Sequence, residues 1–230
     1  MGTRPLIRGA AWCGLVYVVL FGFGWLTFAQ FFPPIAPTAT AAEVARAFQE
    51  RRAPLMLASV FMMVSTFTLF PASALLLMIV RKIEGSVGIV TLMMGFTLTT
   101  YQVLNFYTGL SFAMASFRSD RDPGLIQYAS DYGFLQFLGG IPMFLMVWLL
   151  SAYAFLVMNP RENPMVPRWF GYVNLWIGIL YLPELLVFFF KSGPFAWDGV
   201  VGFWIPAILF IAYFFITPFI LVPFAKKHFS

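Results

Sequence analysis

The chain contains one histidine, His228, and one cysteine, Cys13. A disulfide framework and a cysteine-based metal site are thereby excluded. Bis-histidine haem, histidine-rich di-iron and zinc-hydrolase centres are excluded too, since each needs several imidazoles. His228 stands beside Lys226 and Lys227 and reads as a solvated tail residue. Charge is equally scarce, at 10% of 230 residues. There is no Lys/Arg-rich run of the kind that binds nucleic acid and no phosphate-cradling glycine loop. A pair of intramembrane aspartates for proteolysis is missing, because Asp131 and Asp198 lie at the borders of apolar runs. A Ser–His dyad would need a histidine inside an apolar run. Neither a metal nor a cofactor is expected.

What remains is apolar: 61% of the residues are hydrophobic and 29 are phenylalanine. A soluble domain needs more charge, so this composition points to a polytopic membrane protein whose first partner is the lipid bilayer. At about 1.5 Å per residue, six runs can cross a hydrocarbon core about 30 Å thick. They cover residues 9–32, 55–80, 87–117, 123–158, 169–190 and 200–223. The predicted fold is an all-α, single-domain bundle of six transmembrane helices. Arg4 and Arg8 precede the first run as in a signal peptide. That run is longer than an h-region and lacks a small-x-small cleavage signal, so it reads as a retained span.

Between the first two spans, residues 40–52 read as a short helix on the membrane surface. Thr40 can cap it, Glu43 follows three residues later, and Val44, Ala47 and Phe48 share a face. Asp122 before Pro123 reads as an N-cap with proline at the first helical position. A bend is expected near Gly139-Gly140 and Pro142, and prolines interrupt spans 2, 5 and 6 at Pro71, Pro183, Pro206 and Pro218. Six spans put both termini on one side. With the N-terminus cytoplasmic, inside segments carry eight Lys/Arg and two Glu (8 − 2 = +6), and outside segments carry six Lys/Arg and seven Asp/Glu (6 − 7 = −1). These sum to the net charge of +5. The bias favours both termini in the cytoplasm and a bacterial inner-membrane setting. Trp12, Trp169, Trp197 and Trp204 fall near span ends, where interfacial aromatics belong.

Ionisable groups inside spans are costly, so each is a functional candidate. Glu184, just after Pro183, is the one acid inside an apolar run. Lys191 lies seven residues on, two turns along the same face if the helix continues, and would pair with it. Gln102 and Asn105, at i and i+3 on span 3, would either glue helices or join Gln136 and Glu184 in a polar pocket. At the outer side, Arg118, Asp120, Arg121 and Asp122 alternate in sign and are most simply paired with one another. With Asp131, Lys191, Trp197 and Asp198 they could instead form a lip that recognises a polar head group or a partner.

Four segments carry a resemblance: FFPPIAPTATAAEVARAFQERR (31–52), FRSDRDPGLIQ (117–127), PRWFGYVNLW (167–176) and FFKSGPFAWDG (189–199). Together they resemble a family of bacterial multi-span membrane proteins of unknown function. The resemblance implies a shared six-span fold and carries no activity and no catalytic residue. From the residues themselves, the expected role is to bind or pass a small apolar or amphiphilic molecule. An accessory subunit beside another membrane protein, or a homo-oligomer, is also open. The alternative from another class is a metal-free membrane enzyme of isomerase or cyclase type, with Glu184 as general acid. An ion or proton channel ranks below both, because the spans hold no ring of like charges.

Overall fold

Within lipid, a backbone N–H or C=O has no water to bond, so a spanning segment must close its own hydrogen bonds. The computed structural model, which describes residues 4–228, is helical throughout its elements, with no strand among the described residues. Six segments are long and apolar enough to cross a membrane: Pro5–Phe28, Arg52–Glu84, Ile89–Phe117, Pro123–Met158, Arg168–Phe188 and Val200–His228. They comprise α1 (Arg4–Phe23), α3 (Arg52–Glu84), α4 (Ile89–Phe117), α5 (Pro123–Gly139), α6 (Ile141–Tyr153), α7 (Arg168–Tyr181) and α8 (Ile205–His228). The short α2 (Ala41–Glu50) lies between the first two spans. Wider π turns extend α1 (Gly24–Phe28) and α6 (Ala154–Met158) and precede α8 (Val200–Trp204). A tight 3-10 segment, Leu182–Phe188, completes the fifth span.

The first span starts earlier than the apolar run suggests and ends at Phe28, before Phe31-Phe32. Arg51 ends it: its Nη2 donates to the carbonyls of Phe28 (3.0 Å) and Ala29 (2.6 Å). Gln30, at φ 48°, then turns the chain away. The prolines do less than expected. α3 runs unbroken through Pro71, whose ring is exposed, and α8 runs unbroken through Pro218 and Pro223. The breaks come at Gly139-Gly140, between α5 and α6, and at Leu182-Pro183, where the 3-10 segment begins.

α2 is set by its cap. The Thr40 backbone N–H and hydroxyl both donate to Glu43 Oε2 (2.7 and 2.8 Å), and Thr40 Oγ1 accepts from the Glu43 N–H (3.3 Å). These bonds hold the Glu43 carboxyl below the usual carboxylate range. The buried face is Val44, Ala45 and Phe48, with Ala45 in place of the expected Ala47. The helix therefore closes one end of the bundle, its Phe48 ring meeting Phe31 and Phe112. Gln49, Arg52 and Gln127 tie that end to the carbonyls of Ser119, Ser116, Phe117 and Ala39.

α3 packs between α1 and α4. Small residues permit the approach, as is usual where helices meet in lipid. A Cβ on Gly109 of α4 would lie 2.9 Å from the Ser59 carbonyl of α3, and one on Gly24 would lie 3.0 Å from the Ala58 carbonyl. At the opposite end His228, read from the sequence as a solvated tail residue, is half-buried. Its ring lies 4.5 Å from that of Phe224, and its carbonyl accepts from Lys82 Nζ at 3.0 Å. That bond joins the ends of α3 and α8.

Candidate functional site

Most polar side chains in the spans are bonded within the bundle. The hydroxyls of Ser59, Thr97, Thr108, Ser111 and Thr217 each donate to the carbonyl four residues back. Asn105 Nδ2 donates to the Tyr101 carbonyl (2.8 Å), and its Oδ1 accepts from the Tyr17 hydroxyl (2.5 Å). Within the polar stripe of span 3, Asn105 thus joins α4 to α1, while Thr97, Thr108 and Ser111 bond carbonyls of their own helix. Similar clasps join α7 to α8: Tyr213 donates to Asn174 Oδ1 (3.2 Å), and Tyr181 donates to the Pro206 carbonyl (2.8 Å). Gln136 Nε2 donates to the Leu104 carbonyl (3.3 Å). Gln102 Oε1 and Gln136 Oε1 are buried and have no partner among the described residues.

Glu184 is the acid among the buried groups of the spans. It is 1% exposed, and its Oε2 has no hydrogen-bond partner among the described residues. The expected pairing with Lys191 is not made. It assumed a continuing α-helix, but here the helix tightens to a 3-10 segment that closes at Phe188, with Phe189 N–H donating to the Leu186 carbonyl. At about 3.0 residues per turn, a separation of seven no longer returns to the same face. Lys191 is exposed in the loop beyond, and its charge acts on Asp131 instead.

Glu184 lies in the wall of a cavity of about 410 Å³. The second half of span 1 forms one side, from Val18 through Trp25 to Thr27. Phe137, Leu138 and Phe144 come from the bend in span 4, and Tyr181 stands beside Glu184 on span 5. Phe203, Phe210 and Phe215 of span 6 close the ring. Most other polar groups at this wall are already bonded. Trp25 Nε1 donates to the Phe31 carbonyl (2.7 Å), Tyr181 bonds Pro206, and Thr27 is exposed at the rim. Val19, Phe23 and Leu26 of span 1 and Ile211 and Phe215 of span 6 are exposed on the outer surface. The mouth therefore opens sideways between spans 1 and 6, toward lipid. Gly22 stands in this wall with open space where a side chain would project.

A second cavity of about 60 Å³ lies in the other half of the bundle, lined by Ser73, Tyr101, Trp148, Tyr213 and Thr217 among others. It has room for about two water molecules. Phe144 borders both cavities.

Of the four residues expected to converge, Glu184 alone lines the larger cavity; Gln102, Asn105 and Gln136 line neither. The outer-loop residues are also used differently. No ion pair joins Arg118, Asp120, Arg121 and Asp122, and Arg46–Glu50 (2.7 Å) is the ion pair found among the described residues. Arg121 Nη1 donates to the Met114 carbonyl, and Arg118 lies over the Phe117 ring. Asp122 caps α5, accepting from the N–H groups of Gly124 (2.8 Å) and Leu125 (3.3 Å). Asp120 is exposed, and Asp131 and Asp198 are half-buried. Trp197 is buried, not interfacial. It stacks on Phe134, and its Nε1 donates to the Ile35 carbonyl (2.7 Å). The aromatic wall, Trp25 and Tyr181 included, escaped sequence reading, because in so phenylalanine-rich a chain one more ring carries no signal.

Comparison of the chain with protein-family models, curated proteins and solved structures yields no match.

The two roles considered for span 3 separate by mutation. Asn105→Leu leaves the Tyr17 hydroxyl without its acceptor and should cost on the order of 1 kcal/mol of bundle stability in bilayers. Ligand retention should be unchanged in the folded fraction. Loss of retention at unchanged stability would return Asn105 to a binding wall.

Proposed function

We propose that this protein binds a small, membrane-soluble amphiphile in the cavity between spans 1 and 6 and holds its polar group on Glu184. The observation that carries this reading is the unpartnered carboxylate oxygen of Glu184 at the wall of an otherwise apolar, laterally open cavity. A buried carboxyl without a partner is destabilising, and a ligand in the cavity would supply the partner it lacks. A volume of about 410 Å³ falls in the range of small-molecule sites. A lateral mouth lets an apolar molecule enter from lipid without crossing water. Delivery of the ligand across the membrane, or to a neighbouring protein as an accessory subunit, would use the same cavity.

The membrane in this proposal is a bacterial inner membrane, with both termini cytoplasmic. Support comes from the charge balance of the loops, +6 on one side and −1 on the other. The cavity then lies in the outer half of the bilayer, on the side closed by α2.

Two experiments test these statements. Native mass spectrometry from membrane vesicles should release the wild-type chain with a bound small molecule. Gly22→Phe, which fills open space in the wall, should release it empty yet folded. A wild-type chain that emerges empty, or a filled variant that keeps its passenger, contradicts the binding role. For orientation, a reporter active only in the cytoplasm should work at the C-terminus and fail in the loop after Phe188. The reverse pattern would invert the bundle.

A further inference from the structure

The cavity restricts the chemistry of what it takes. Its lining includes no Lys, Arg or His, and the nearest lysine in the chain, Lys191, is exposed beyond the 3-10 segment. An ionised Glu184 would therefore stand in an apolar cavity with no counter-charge from the protein. Such a charge is tolerated when something else brings the opposite sign. The cavity wall around it is largely aromatic. Phe21 stacks on Phe137 (5.1 Å between centroids) and on Trp25 (5.8 Å), and Trp25 stacks on Phe203 (6.3 Å). These stacks cover the faces of Phe21 and Trp25 with neighbouring rings, so the wall offers a ligand apolar aromatic surface and no group that would balance a charge.

One acid without a protein cation and a wall of aromatic rings are together complementary to an alkylammonium group on an apolar body. Resting on the binding role proposed above, the geometry points to a hydrophobic amine as the ligand class, its ammonium paired with Glu184 and its apolar body against the aromatic wall. The side mouth fits this class. A lipophilic amine partitions into the bilayer and reaches the opening between Val19, Leu26 and Ile211 laterally. A neutral carbonyl or hydroxyl ligand would use Glu184 as an uncharged hydrogen-bonding group and would bring it no opposite charge.

The test uses the full chain in nanodiscs of one phosphatidylcholine, with empty discs subtracted. Three probes are titrated by calorimetry: a phenylbutyl dimethylamine, the hydrocarbon with carbon in place of nitrogen, and the matching methyl ketone. The amine should bind about tenfold or more tighter than the other two, a gap the size of one charge-assisted contact. Glu184→Gln should bring the amine to within about twofold of the hydrocarbon and leave the hydrocarbon unchanged. A ketone that binds as tightly as the amine overturns the amine assignment. So does a hydrocarbon that matches the amine in the wild type, or an amine preference that survives in Glu184→Gln. The wild-type comparison decides alone if that variant fails to assemble. If none of the three binds, the binding role itself falls.

Discussion

Exclusion of water from the bilayer core governs this molecule. Every polar group carried into the spans must find its partner inside the protein. The backbone meets that demand by staying helical, and the side chains meet it by folding back. Hydroxyls of α3, α4 and α8 return to their own carbonyls, and Asn105 and Asn174 clasp neighbouring helices through Tyr17 and Tyr213. Arg51 and Arg52 do the same at the bundle end, bonding carbonyls left open where span 1 and α4 stop. Against this background a few groups stand out, and Glu184 is the carboxyl among them.

The cavity at Glu184 follows from where helices depart from regular geometry. Span 4 breaks at Gly139-Gly140 and span 5 tightens at Leu182, both at the level of the cavity, while spans 1 and 6 widen to π turns toward the end closed by α2. Gly139 makes room for the Phe188 ring, which locks the 3-10 segment against span 4. Trp25 then organises the aromatic interior, meeting Phe21, Phe31, Phe112, Phe134, Phe137 and Phe203. One side of that aromatic cluster is core and the other is cavity wall. Aromatic packing and ligand space thus share the same residues.

Some of this was legible in the residues and some was not. The spans announce themselves by length and apolarity, and the Thr40–Glu43 box and the Asp122-Pro123 start are local motifs whose bonds are made within three residues. Gly139-Gly140 was readable as a bend because two glycines offer little resistance to one. The partner of Glu184 was not readable, because a choice between α and 3-10 geometry after Pro183 rotates Lys191 off the face. Pro71 and Pro218 misled in the other direction: α3 and α8 continue through them, Pro71 on the exposed face and Pro218 buried within the bundle. Span 3 looked like a polar wall because a sequence shows a hydroxyl but not the carbonyl it turns back to. The role of Trp197, tied to Ile35 across 162 residues, depends on a tertiary contact that no local pattern encodes.

The central claim is that Glu184 faces a cavity open to lipid. Labelling with a membrane-soluble carbodiimide, followed by peptide mass spectrometry, addresses it directly. In native membranes the reagent should modify Glu184 from within the bilayer, a water-soluble carbodiimide should not, and Gly22→Phe should protect the residue. A Glu184 that stays unmodified in the folded wild type, or reacts equally with the water-soluble reagent, would contradict it.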